Sequence, residues 1–255
     1  MNYALVTGAS SGIGYEYAWV LASKGYNLLI VSNEEAINDK AKVLKEQFPA
    51  LDILPLVLDL GKQTAAKELF EWCQQKGIVV EVLINNAGVY HDKDFLDDSA
   101  GFTELILNLH IHTPVMLSYY FGQEMLNRHK GYILNMSSVT SNYGIQRMST
   151  YSTTKGFLRL FSKSTHIELK AKGVIVTCVR PGAVATPLYN LDEKAIKTGL
   201  AVGAIVTPRH LAEQGIKALF KGKHEITPGL FTKLLDLVPI LPVWLLKLVR
   251  KWGWF

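Results

Sequence analysis

Short apolar runs alternate with longer stretches of helical period along the whole chain. The runs are Tyr3–Thr7, Leu28–Val31, Ile53–Leu58, Val79–Ile84, Tyr132–Met136, Val174–Val179 and a short one at Glu225–Thr227. Such a series predicts an α/β fold: a parallel sheet with helices covering both faces. Pro55 lies inside the third run. Proline cannot donate to a ladder, so that strand belongs at a sheet edge. The doubly wound order 3-2-1-4-5-6, extended by a seventh strand, puts it there. No repeat or linker breaks the series, which reads as one domain over 1–228.

The stretch 229–255 has a different pattern. It is strongly apolar, interrupted by Pro239 and Pro242, and ends in Trp244, Trp252, Trp254 and Phe255. From Val243 onward Lys247, Arg250 and Lys251 share one helical face, and Trp244, Leu245, Leu248 and Trp252 another. A membrane span needs about 20 unbroken apolar residues. Two readings remain: a cover over an apolar pocket, or a helix lying on a membrane surface.

Composition narrows the class. Of 255 residues 49% are hydrophobic and 19% charged, which suits one large core and excludes a disordered chain. The net charge of +5 comes from scattered Lys and Arg, so nucleic acid is not expected as a partner. Cys73 and Cys178 read as packing residues. A strand starting almost at Met1 leaves no room for a signal sequence, and the expectation is a cytoplasmic chain, peripheral at a membrane if the tail binds one. His110 and His112, two apart on a helix, point different ways and make no metal pair. His91 sits close enough to the Gly88 turn to approach a substrate.

Directly after the first run comes Thr7-Gly8-Ala9-Ser10-Ser11-Gly12-Ile13-Gly14, followed by a helix through about Ser23. Glycines there permit a tight turn and close approach of backbone to a pyrophosphate, and the helix N-terminus offers free N–H groups. At the end of the second strand a free ribose 2′-hydroxyl usually meets an acid. Ser32 and Asn33 stand there instead, which favours NADP(H), with NAD(H) as the alternative.

Tyr151 and Lys155 lie one helical turn apart on one face. A phenol has a pKa near 10, and a neighbouring ammonium lowers it towards neutral pH. Ser137 and Ser138 follow the fifth strand at its C-terminal end, where ligands bind in open α/β sheets. Ser138 reads as the donor to a substrate oxygen and Ser137 as the turn cap.

With these motifs in place, the chain resembles the short-chain dehydrogenase/reductase family over nearly its whole length. The resemblance rests on the glycine loop, Asp59-Leu60, Asn85-Asn86-Ala87-Gly88, Asn108, Ser138, Tyr151 with Lys155, and Pro181-Gly182 with Thr186. It implies that Tyr151 exchanges a proton with the substrate oxygen and that Lys155 holds the nicotinamide ribose and tunes Tyr151. It implies that Ser138 orients the carbonyl and that Asn108 holds a relay water. Asp59 and Leu60 would contact the adenine, Asn86, Ala87 and Gly88 would line the adenosine side, and Ser10 and Ser11 of the glycine loop and Ser32 and Asn33 would complete the cofactor contacts. Pro181, Gly182, Val184 and Thr186 would clasp the nicotinamide end. Read on their own, Asp59 could cap a helix, Asn108 mark a kink before Pro114, and Asn85 tie strands together.

The segment at about 187–207 holds Leu188, Tyr189, Leu191, Ile196, Leu200, Val202 and Ile205, and Thr207-Pro208 reads as the start of a new helix. The family uses this stretch as a substrate lid, and its apolar character suggests a lipid-like, acyl or steroid-like ketone or alcohol. The leading expectation is an NADPH-dependent reductase. The alternatives are an NAD-dependent alcohol dehydrogenase and a cofactor-binding sensor without turnover. Family practice implies a homodimer or homotetramer, and Phe157, Leu158 and Phe161 are either its contact stripe or a face turned to the sheet.

Overall fold

Successive residues of each central strand enter two different cores, which is why the strand runs are apolar without alternation. In the computed structural model, which describes residues 2–186, 193–229 and 232–233, Ala4 and Val6 of β1 (Tyr3–Thr7) face one side of the sheet and Leu5 the other. The same split separates Leu28 and Ile30 from Leu29 and Val31 in β2 (Asn27–Ser32). The first core is closed by α1 (Gly12–Ala22), α2 (Ile37–Gln47) and α8 (Pro208–Phe220). The second is closed by α3 (Ala65–Gln75) and α5 (Thr113–Asn127).

The remaining strands are β3 (Ile53–Val57), β4 (Val80–Asn85), β5 (Gly131–Met136), β6 (Val174–Val179), β7 (Ala183–Val184), β8 (Ile205–Val206) and β9 (Glu225–Ile226). Seven of them form one parallel sheet in the order β3-β2-β1-β4-β5-β6-β9. That is the expected doubly wound order. Its last strand is the ninth in the chain because the two-residue β7 and β8 pair separately with each other.

Pro55 lies opposite Ile30 on the edge strand β3. Leu28 N–H bonds the Asp52 carbonyl and Leu58 N–H bonds the Ser32 carbonyl, so even-numbered positions there face β2. Pro55 therefore turns its missing donor outward, where no ladder bond is lost.

Two helices carry the polar chemistry, α6 (Ser149–Leu169) and the α4 (Ala100–Leu107)–α5 rod. Within α6 the expected apolar stripe divides. Leu158 is buried against the body, whereas Phe157 is exposed and stacks on Phe161. Thr207 caps α8 as expected, accepting from His210 N–H at 3.2 Å, with Pro208 at its first position. The expected lid contains α7 (Glu193–Ala201) and β8. Leu188, Tyr189 and Leu191, and the tail positions 234–255, lie outside the described residues.

Candidate active site

At the top of β1 the chain turns at Gly8 with φ +65°, a left-handed conformation that disfavours any side chain. A Cβ on Gly8 would also sit 2.8 Å from the Ala87 Cα, and one on Gly14 would overlap the Gly8 carbonyl. Thr7 fixes this turn from below: its hydroxyl accepts from the N–H groups of Asn86 (2.9 Å) and Ala87 (3.0 Å) and donates to the Ile84 carbonyl (3.1 Å). The Asn86 side-chain amide donates to the carbonyls of Thr7 and Gly8. No side chain caps the N-terminus of α1 and no acid occupies its first turn, so its N–H groups stay available to an anion.

Beside this loop, Ser32 Oγ donates to Ser10 Oγ at 3.1 Å and accepts from Glu34 N–H at 3.2 Å. Asp59 accepts from Gly61 N–H at 2.9 Å in a local turn rather than capping α3, whose N-cap is Thr64. Asn85 does tie strands, donating to Asn135 Oδ1 across β4 and β5 at 2.8 Å.

On α6, Tyr151 and Lys155 are both buried. The Lys155 Nζ donates to the Met136 carbonyl at 2.9 Å and lies 5.6 Å from the centre of the Tyr151 ring. Burial pulls its pKa down to about 8, which leaves it a cation at neutral pH. The turn cap expected of Ser137 falls to Ser138. Ser138, with extended φ and ψ, caps the turn Val139–Asn142, while Ser137 Oγ bonds the Lys155 carbonyl at 2.7 Å. Ser138 Oγ accepts from the N–H (3.2 Å) and the hydroxyl (3.0 Å) of Thr140. Those bonds use its acceptor sites and leave its own proton to donate elsewhere.

Asn108 opens a π-helical turn, Asn108–His112, between α4 and α5. Thr113 N–H reaches back to the Asn108 carbonyl. The irregularity expected before Pro114 is thus a π-helical turn, and such bulges concentrate at functional sites.

Every residue expected to touch a dinucleotide lines one cavity of about 460 Å³, which runs from Ser32 and Asp59 past the glycine loop to Tyr151, Lys155 and Thr186. Ser138 and Asn108 are not on its wall. His91 is also off it, stacked on Phe102 and paired with Asp98 at 3.2 Å. The cavity fits a dinucleotide: Gly8 and Gly14 let the loop pack tightly on Ala87 and on its own turn so that its backbone lines the cavity, and among the described residues the buried Thr186 Oγ1 beside Gly12 has no hydrogen-bond partner.

Sequence reasoning missed three features here. Glu34 stands on the cavity wall beside Asn33. Arg180, fully buried, bonds Glu225 (3.0 Å) and Ser141 Oγ (3.1 Å), and Arg159 also bonds Glu225 (2.7 Å), which ties the turn after Ser138 to the β6–β9 edge. His110, read as idle, is buried between the cavity and α6. Glu34 stands one position beyond the two residues at which the acid is expected, whereas Arg180 and His110 leave no local pattern because their partners are distant in the chain.

Comparison with known proteins gives a concordant picture. A family model described as short chain dehydrogenase matches residues 2–196. The very-long-chain 3-oxoacyl-CoA reductase of Anas platyrhynchos is 31% identical over 198 residues, 75% of this chain and 62% of that protein. The chain thus spans less than two thirds of that relative's length. An uncharacterized oxidoreductase of Bacillus subtilis is 30% identical over 216 residues, covering 82% of this chain and 88% of that protein. Among solved structures, a short-chain dehydrogenase from Sphingobium yanoikuyae in complex with NADPH superposes with a TM-score of 0.80 at 23% identity, over 92% of each chain.

Proposed function

Because the chain belongs to the short-chain dehydrogenase family of oxidoreductases, we propose that it reduces the keto group of an apolar, acyl-type substrate using NADPH. The observation that carries this reading is the buried Tyr151–Lys155 pair on the wall of the cavity that the glycine loop also lines. When bound, the reduced nicotinamide supplies the hydride for the carbonyl carbon. Tyr151 gives its phenolic proton to the carbonyl oxygen, so that the ketone becomes a secondary alcohol. Lys155, still charged at neutral pH, favours the phenolate that remains and holds the ribose. Ser138 donates to the same oxygen as charge develops on it, with its hydroxyl oriented by Thr140. The Asn108 carbonyl holds the water that returns a proton to Lys155. Thr186, Gly182, Pro181 and Val184 hold the nicotinamide end, and the glycine loop with α1 the pyrophosphate.

The oxoacyl name of the Anas platyrhynchos relative supports an apolar substrate, as do Leu105 and Leu109 on the cavity wall. Ser32 and Asn33 support NADPH. Glu34 on the same wall favours a second reading with NADH, since a carboxylate there can take the ribose 2′-hydroxyl. We further place the chain in the cytoplasm, with the tail 229–255 touching either the pocket or a membrane surface. Exposed Phe157 and Leu160 on α6 support a homo-oligomer.

The test is NADPH oxidation with a long-chain 3-oxoacyl thioester, a bulky cyclic ketone and a ketose, repeated with NADH. Turnover of the thioester with NADPH is expected. Tight NADPH binding without oxidation by any ketone would point to a sensor, and tighter NADH binding would overturn the cofactor choice.

A further inference from the structure

His110 sits in the π-helical turn with only 1% of its surface exposed, and both ring nitrogens are engaged. Its Nε2 accepts from the Val89 N–H at 3.0 Å, just beyond Gly88 on the cavity wall. Its Nδ1 meets Thr154 Oγ1 at 3.1 Å. Thr154 gives its one hydroxyl proton to the Tyr151 carbonyl at 2.8 Å, so towards His110 it can only accept. Both contacts therefore require the same form, a neutral imidazole with its proton on Nδ1. The ring also meets Tyr151 edge to face, with centroids 5.7 Å apart. Gly88 allows this approach: a Cβ there would lie 2.9 Å from Nε2.

We propose that His110 is a positioning residue, a neutral imidazole that fastens the Val89 backbone at the cofactor cavity to Thr154 on the helix of Tyr151. This rests on the reading of Tyr151 as the proton donor. His110 is not a second proton relay, because taking a proton on Nε2 means giving up the Val89 bond. Burial and the Lys155 ammonium, the charged group facing it from α6, hold its pKa well below the usual histidine value. Both links act in series through one chain, Val89–His110–Thr154–Tyr151. Breaking either one removes the same support from the Tyr151 turn.

The tests are steady-state kinetics of His110→Phe, Thr154→Val and the double variant, with Tyr151→Phe as control. Imidazole ¹⁵N resonances of the cofactor-free protein, assigned with His110→Gln, supply a readout independent of turnover. Each single variant should lower kcat about tenfold with little change in substrate KM, and the double variant should be no worse than either. His110→Gln, which keeps an acceptor for Val89, should recover part of the loss. The resonances should report the Nδ1–H form, unchanged as pH falls through about 6.5. Wild-type kcat in His110→Phe, losses that multiply in the double variant, or an Nε2–H or protonated ring near neutral pH would each overturn the proposal. If His110→Phe fails to fold, Thr154→Val and the resonances decide. A fully active Tyr151→Phe would sink the functional reading instead and leave the tautomer result standing.

Discussion

The two ends of the cavity are built from different materials. At the phosphate end the backbone does nearly everything: left-handed Gly8, side-chain-free Gly14, an uncapped helix terminus and Thr7 beneath them. At the other end buried side chains do the holding, on backbone and on one another: Lys155 on the Met136 carbonyl, Ser138 on Thr140, and His110 between the Val89 N–H and Thr154. The first end tolerates almost no added atom. The second depends on its hydrogen bonds. Binding should therefore fail from one end and chemistry from the other.

Variants can break that contrast in order of expected effect. Tyr151→Phe removes the phenolic proton alone, and kcat should fall about a thousandfold while NADPH affinity stays within about threefold, read by kinetics and fluorescence titration. An equal loss of both would mean that the two ends are not separable.

Lys155→Met tests the cost of the buried cation by urea unfolding. The folded-state pKa of about 8 lies below the model-peptide value of 10.5, so the charged lysine opposes folding while pH stays below about 8. The Lys155 contribution to wild-type stability should rise between those two values as the folded state loses its proton first, against the opposite contribution of the buried Cys73 and Cys178 thiols, whose raised pKa values make stability fall above pH 9. In Lys155→Met that rise should vanish, and stability near neutral pH should increase by up to about 3 kcal/mol despite lost activity. An unchanged pH profile in the variant would contradict the assignment.

Gly14→Ala acts at the opposite end. Its methyl overlaps the Gly8 carbonyl, so NADPH affinity should weaken about a hundredfold, with a stability loss of about 1–3 kcal/mol. Wild-type affinity would show that the loop can yield. Thr140→Val is the mildest change. It removes one of the bonds that orient Ser138, and kcat should drop about three- to tenfold without a change in NADPH binding.

The same contrast explains what could be read from the chain in advance. The glycine loop, the edge position of Pro55 and the helical pairing of Tyr151 with Lys155 follow from local rules of φ, donors and period, and all three stand in the fold as expected. The partners of His110 lie 21 and 44 positions away, and no spacing announces them. Ser137 and Ser138 are chemically identical neighbours, and only the turn geometry decides which one caps. The β7–β8 pair is too short to leave a pattern, with two residues in each strand. Glu34 lies one position beyond Ser32 and Asn33, the strand-end pair at which the acid is expected.

The most direct measurement is a single turnover. NADPH is loaded onto wild-type protein and onto Tyr151→Phe, and each is mixed rapidly with a long-chain 3-oxoacyl thioester while nucleotide fluorescence is followed. The wild type should oxidise its bound NADPH in one phase, and the variant should hold the same amount of nucleotide and leave it reduced. Oxidation at the wild-type rate in Tyr151→Phe would contradict the account.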